Sequence, residues 1–190
     1  SLRWDLTAMP AGSQGVTSFG DGNISLPAGS LKRLEFMMVM AGKIDRQPKD
    51  PNSPFAAVWT AEPTFDARSA MQWSNDLYHW MSIFFKDPAE PVYRVFLRNS
   101  DRKGVNGVAA PHSFMASYDA SATAEGIKSL LGHEMTHTWT AADIGKWYSE
   151  GNAEYYQVRL PWRAGMVSTD GYLKDINATA GRYYSNTGIT

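Results

Sequence analysis

An α+β fold is expected for this chain, on three observations. Short β-type runs punctuated by Gly and Pro fill the first fifty residues, and further strand patterns fall at 92–97 and within 105–117. Helical periodicity takes over from residue 121 to the end. Strands followed by a run of helices, with little alternation, is the ordering of an α+β domain.

The elements follow in chain order. Gly15-Val16-Thr17-Ser18-Phe19 and the stretch 34–41 read as strands, with turns at Asp21-Gly22 and Pro27-Ala28-Gly29. The polar segment 45–54, DRQPKDPNSP, holds three prolines and reads as a linker or surface loop, and 55–60 as a strand. In 65–86 the apolar residues Met71, Leu77, Trp80, Met81, Phe84 and Phe85 recur at helical spacing, and Asp87-Pro88 stops the pattern. VYRVFL at 92–97 alternates as a strand does. One or two further strands in 105–117 are broken by Gly107 and Pro111. Three helices are expected at 121–140, 151–160 and 168–184, the last opened by the capping run Ser168-Thr169-Asp170. The chain thus divides into a β-rich segment, 1–50, that ends a preceding β unit, and a mixed α and β domain, 51–190.

Composition removes several classes of function. Lys and Arg total 18 against 19 Asp and Glu, without a run of like charge, so a nucleic-acid or anionic-membrane surface is disfavoured. The absence of Cys removes disulfides, thiolate metal sites and a Cys nucleophile, which leaves His and carboxylates to hold any metal. No apolar run approaches the ~20 residues of a membrane span. The start at Ser1 and the stop soon after a helical pattern lead us to expect a piece of a larger protein.

Gly132-His133-Glu134-Met135-Thr136-His137 is an HExxH sequence inside an expected helix. At ~100° per residue, positions i and i+4 differ by about 40°, so both imidazoles leave one face and reach one ion. Leu131 and Met135 fall on the opposite side, free to enter a core. Glu134 is turned about 100° from His133, beside the ion rather than on it. That is the place of a general base: zinc lowers the pKa of a bound water towards ~7, and the carboxylate takes its proton as a carbonyl is attacked.

A catalytic zinc needs a third protein ligand, and two carboxylates compete. Glu150, in WYSEGNAE, opens the next expected helix about eight residues on, near enough to bring an antiparallel neighbour alongside. Asp143 falls where an HExxHxxGxxH/D pattern places its third ligand, but that pattern needs Gly where this chain has the β-branched Thr140. Glu150 is therefore preferred. Glu154, one turn further on the same face, is either an acceptor for the N–H of a ligating His or a solvated helix carboxylate.

HEMTHTW followed by WYSEGNAEYY resembles the zinc helix and glutamate helix of the glycyl aminopeptidase family, gluzincins related to the alanyl-type aminopeptidases and often carrying a downstream PDZ domain. Arg3-Trp4-Asp5-Leu6, Pro10-Ala11-Gly12-Ser13, the strand 93–98, Pro111-His112-Ser113-Phe114 and the closing stretch 163–184 resemble that family in order. The resemblance implies one zinc ion held by His133, His137 and Glu150, with Glu134 as base. It implies a thermolysin-like catalytic domain whose edge strand, 107–115, borders the cleft beside the zinc helix and pairs with a peptide substrate. By the same resemblance the protein is a soluble, periplasmic or secreted bacterial aminopeptidase for small N-terminal residues.

Three departures qualify what is carried over. The spacer from His137 to Glu150 is shorter than the family's. Where relatives hold the substrate amine with a Gly-x-Met-Glu-Asn segment, this chain has Gly107-Val108-Ala109-Ala110-Pro111, and Ala109 cannot hold an ammonium ion. A zinc endopeptidase without amine recognition is the alternative this opens, and a metal-binding pseudoenzyme or peptide-binding module is a third reading. Relatives also stabilise the oxyanion with a Tyr whose matching position is expected past Thr190, so weak turnover is expected of these 190 residues. Tyr155, Tyr156, Tyr183 and Tyr184 are nearer substitutes, though helix tyrosines are more often core residues. His112 is a possible donor to substrate, His79 an ordinary helix residue, and Trp139 and Trp147 core residues or cleft walls.

Overall fold

The computed structural model describes residues 1–87, 92–140 and 145–186. Strands β1 (Gln14–Thr17), β2 (Gly20–Asp21) and β3 (Val39–Gly42) form a small antiparallel sheet in the order β2-β1-β3. A second sheet has the order β4-β5-β6-β8-β7, from β4 (Asp45–Gln47), β5 (Phe55–Trp59), β6 (Tyr93–Asn99), β7 (Asn106–Ala110) and β8 (Ser113–Tyr118). Helix α1 (Ala67–Phe84) crosses over between the parallel pair β5 and β6, and α2 (Ala124–Thr140), α3 (Lys146–Arg163) and α4 (Thr169–Tyr184) follow. The expected α+β class is the class observed.

Strand β5 is buried at every residue, and its alternation sorts the core into two layers. Phe55, Ala57 and Trp59 face the helices, packing with Leu77, Tyr78 and Met81 of α1 and with Ile127, Leu131 and Met135 of α2. Ala56 and Val58, with Phe96 of β6, face the small sheet and meet Val16, Met38 and Met40. Burial on both faces explains why FAAVW is a continuous apolar run.

Charge pins the small sheet to the large one. Arg94 of β6, 4% exposed, donates to Asp21 of β2 at 3.0 Å, and Arg46 of β4 reaches the other carboxylate oxygen at 2.5 Å.

Several expectations need correction. The segment 45–54 is not wholly a linker: Asp45–Gln47 pairs with β5, and Asp45 bonds Arg68 as well as the nearby Lys49, and neither β5 nor Arg68 is a partner that local composition reveals. Within 34–41 only Val39–Gly42 is a strand, preceded by a 3-10 turn at Leu31–Leu34. The proposed single edge strand 107–115 is a hairpin, because His112 adopts φ +49° and turns the chain after Pro111. Only β7 lies at the edge; β8 sits between β6 and β7. The helix expected at 151–160 begins earlier, at Lys146. Trp147 is 76% exposed rather than core, whereas Trp139 stacks on Phe85 and donates to Asp87 at 3.1 Å.

Candidate metal centre

Helix α2 starts at Thr123, whose hydroxyl accepts from the N–H of Gly126, and packs against β7, β8, α1 and α3. Its buried stripe, Ile127, Leu131 and Met135, fixes the rotation that turns His133 and His137 away from the core. Behind the site the Tyr93 hydroxyl lies 2.9 Å from Thr138 Oγ1, tying β6 to the same turn of helix. Burial raises the Tyr93 pKa and keeps that hydroxyl protonated.

Three donor atoms converge from α2 and α3. His133 Nε2 stands 3.3 Å from His137 Nε2 and 3.2 Å from Glu150 Oε2, and His137 Nε2 is 3.7 Å from the same oxygen. Ligands at ~2.0–2.1 Å from a tetrahedral zinc stand roughly 3.3 Å apart, so this triangle has the edge length such an ion requires. Burial, with His133 adding to it and Glu150 opposing, holds the His137 pKa down and favours the neutral imidazole that ligates metal. His137 Nδ1 is 3.1 Å from Ser149 Oγ, which leaves Nε2 for the cluster. His133 Nδ1 faces Glu154 Oε1 at 3.8 Å, beyond hydrogen-bond length, and Arg182 of α4 bonds Glu154 at 3.1 Å.

Glu134 stands apart from the triangle and is 7% exposed. Its carboxylate lies flush against β7: a Cβ built on Gly107 would fall 2.0 Å from Glu134 Oε1. Among the described residues no hydrogen bond reaches it. Burial pushes its pKa up to about 7, with His133 opposing the rise and Glu150 adding to it.

Two cavities flank the triangle. One, of about 360 Å³, is lined by Phe36, Ala109, Ala110, Pro111, His112, His137 and Thr138. The other, of about 290 Å³, is polar and includes His133, Glu134, Glu154, Gln157 and Arg182. Gly107 and Ala109 therefore border the site, and His112 lies on its rim. None of Tyr155, Tyr156, Tyr183 and Tyr184 lines either cavity: Tyr156 packs on Phe84 and Phe85, and the other three are exposed. Asp143 lies outside the described residues. Ser149, Arg182 and Phe36 were missed in the sequence, since only the placement of their elements brings them here.

The fold matches known structures. An aminopeptidase N family protein from Idiomarina loihiensis superposes with TM-score 0.68 over 85% of this chain and 33% of its own, at 15% identity. The fold is shared with that protein and with a structure described as an M1 zinc metallopeptidase. An M1 zinc metallopeptidase from Deinococcus radiodurans superposes with TM-score 0.51 over 95% of this chain and 43% of its own, also at 15% identity. The chain thus spans well under half the length of either. No protein-family model and no curated protein matches the sequence, so the likeness is one of fold. Among the described residues no helix is long and apolar enough to cross a membrane.

Proposed function

We propose that the chain carries the centre of a zinc metallopeptidase with a thermolysin-like catalytic domain, in which His133, His137 and Glu150 hold one ion and Glu134 is the base. The observation that supports it most is the triangle of donors with zinc-sized edges, beside a buried carboxylate that the triangle does not use. Residues 51–190 are read as the catalytic domain and 1–50 as the β-rich segment before it, with Asp45–Gln47 joining the catalytic sheet.

Zinc held there supplies Lewis acidity, lowering the pKa of a water towards ~7 and polarising a carbonyl. The protein's own part is positional. Glu134, fixed between α2 and Gly107, accepts a proton on its free carboxylate oxygen and returns it to the leaving amine. A neighbouring divalent cation favours its ionised form, which offsets the upward push of burial. Ser149 holds the His137 imidazole from behind, and Glu154, 3.8 Å from His133 Nδ1, places a negative charge behind the other. The edge strand β7 offers backbone N–H and C=O groups to an extended peptide.

The aminopeptidase reading for small N-terminal residues rests on the sequence resemblance and on likeness to a protein described as of the aminopeptidase N family. A specific observation favours an endopeptidase instead. The stretch 107–111 carries no acid, and Glu154, a carboxylate near the site among the described residues, is engaged by Arg182. Aminoacyl fluorogens and internally quenched peptides, offered to the zinc-loaded protein and to a chelated control, separate these. Zinc-dependent cleavage of blocked, quenched peptides is the result expected of the endopeptidase. Cleavage confined to free aminoacyl substrates supports the aminopeptidase, and zinc binding without turnover on either panel, in the full-length protein as well, supports the metal-binding pseudoenzyme or peptide-binding reading instead.

A further inference from the structure

Beside the metal triangle, on the His137 side, lies a cavity of about 360 Å³. That is the size range of ligand pockets, and roughly twelve water molecules' worth of liquid. Its walls come from three places in the chain: Ala109, Ala110, Pro111 and His112 from β7 and its turn, His137 and Thr138 from α2, and Phe36 from the loop before β3. Phe36 is 66% exposed, an aromatic ring held at the rim of the opening. Among the described residues the lining holds no carboxylate, Lys or Arg to act as counter-ion to a charged side chain. Across the triangle the second cavity is polar, with Glu154, Gln157 and Arg182.

We infer that the cavity walled by Phe36, Ala109, Ala110 and Pro111 selects the substrate, and that it takes a large apolar side chain, Leu- or Phe-sized, adjoining the bond to be cut. The inference rests on the zinc-peptidase reading and specifies its substrate class. Three observations argue for it. The cavity shares His137 with the metal triangle, which puts its contents one residue from the reacting bond. Ala109 and Ala110 lie two and three residues along β7 from Gly107, so the strand that abuts Glu134 also floors the pocket. Both are small, and the space their side chains leave is open rather than filled by a neighbour. A pocket of this size exceeds the needs of Gly or Ala, and so opposes the small-residue preference implied by the sequence resemblance. Discrimination in an apolar pocket amounts to about 10-fold or more per missing methylene.

The test is a binding measurement that needs no turnover. Zinc content of the protein is measured first. Two series of hydroxamates are then titrated calorimetrically, one carrying the side chain on the acyl side of the zinc-binding group (N-acetyl-glycine and N-acetyl-phenylalanine hydroxamates) and one on the other side (succinyl and benzylsuccinyl hydroxamates). In one series the aromatic member is expected to bind at least about tenfold more tightly than its unsubstituted partner. Ala110→Trp, which fills the pocket, is expected to remove that preference while the unsubstituted member still binds. Phe36→Ala, which changes an exposed loop residue and leaves β7 intact, is expected to reduce it several-fold with zinc content unchanged. Equal affinities in both series for a zinc-loaded protein, or a preference that survives both substitutions, overturns the pocket assignment alone. Failure to take up zinc overturns the metal reading on which it rests.

Discussion

Two carboxylates sit in the seams between the large sheet and its neighbours, and the protein treats them in opposite ways. Asp21, where the small sheet meets the large one, is saturated: Arg94 occupies one oxygen at 3.0 Å and Arg46 the other at 2.5 Å. Glu134, where α2 meets β7, is buried with its oxygens against the bare Cα of Gly107 and without a hydrogen bond among the described residues. Asp21, which holds structure together, is given cations, whereas Glu134, which we propose takes the proton, is given space and a low-dielectric wall.

That contrast can be broken at either seam. The largest expected effect is on chemistry: Glu134→Gln keeps the shape, removes the base, and lowers kcat by about 10²–10⁴-fold in a steady-state peptide assay, with zinc content and melting temperature unchanged. Loss of zinc or of fold in that variant would assign Glu134 a structural role. At the other seam, Asp21→Ala removes the carboxylate from the buried Arg94 and leaves it only the Pro54 and Tyr93 carbonyls, which is expected to cost about 3–5 kcal/mol in urea unfolding, with zinc stoichiometry in the folded protein retained. A cost below about 1 kcal/mol would mean that water compensates Arg94.

Gly107→Ala sharpens the comparison further. The added Cβ would fall 2.0–2.5 Å from Oε1, Cδ and Cγ of the buried Glu134 side chain, which must move aside. Displacing the carboxylate by about 1 Å is expected to reduce kcat by about 10²-fold, a far larger change than any in zinc content. Should activity persist, Glu134 is not held where the proton is taken. The smallest effect is expected of Glu154→Gln, which removes the negative charge 3.8 Å behind His133 and lowers zinc affinity by up to about 10-fold in a chelator competition.

The site was more legible in the sequence than the sheet around it. HExxH on a helix fixes its own geometry, because the i, i+4 spacing puts both imidazoles on one face and Leu131 and Met135 decide which face that is. Glu150 required only that the next helix pack back on the first, as it does. What escaped depended on distant pairing or on an unusual backbone. Asp45–Gln47 became a strand because β5 was there to receive it, although its own residues read as loop. His112 turned the expected edge strand into a hairpin by a left-handed conformation that no local rule demanded of it. Gly151 read as the start of α3, yet the helix runs through it from Lys146, and that earlier start brings Ser149 within reach of His137. Arg182 lies 28 residues from Glu154, and only the return of α4 along α3 makes them neighbours.

The central claim is that His133, His137 and Glu150 together hold one zinc ion. The most direct measurement is zinc stoichiometry and X-ray absorption on the purified protein, repeated for Glu150→Ala and Asp143→Ala. The account predicts about one zinc per chain with a nitrogen- and oxygen-ligand shell at ~2.0–2.2 Å, lost in Glu150→Ala and kept in Asp143→Ala. An ion that survives Glu150→Ala and disappears with Asp143→Ala would contradict it.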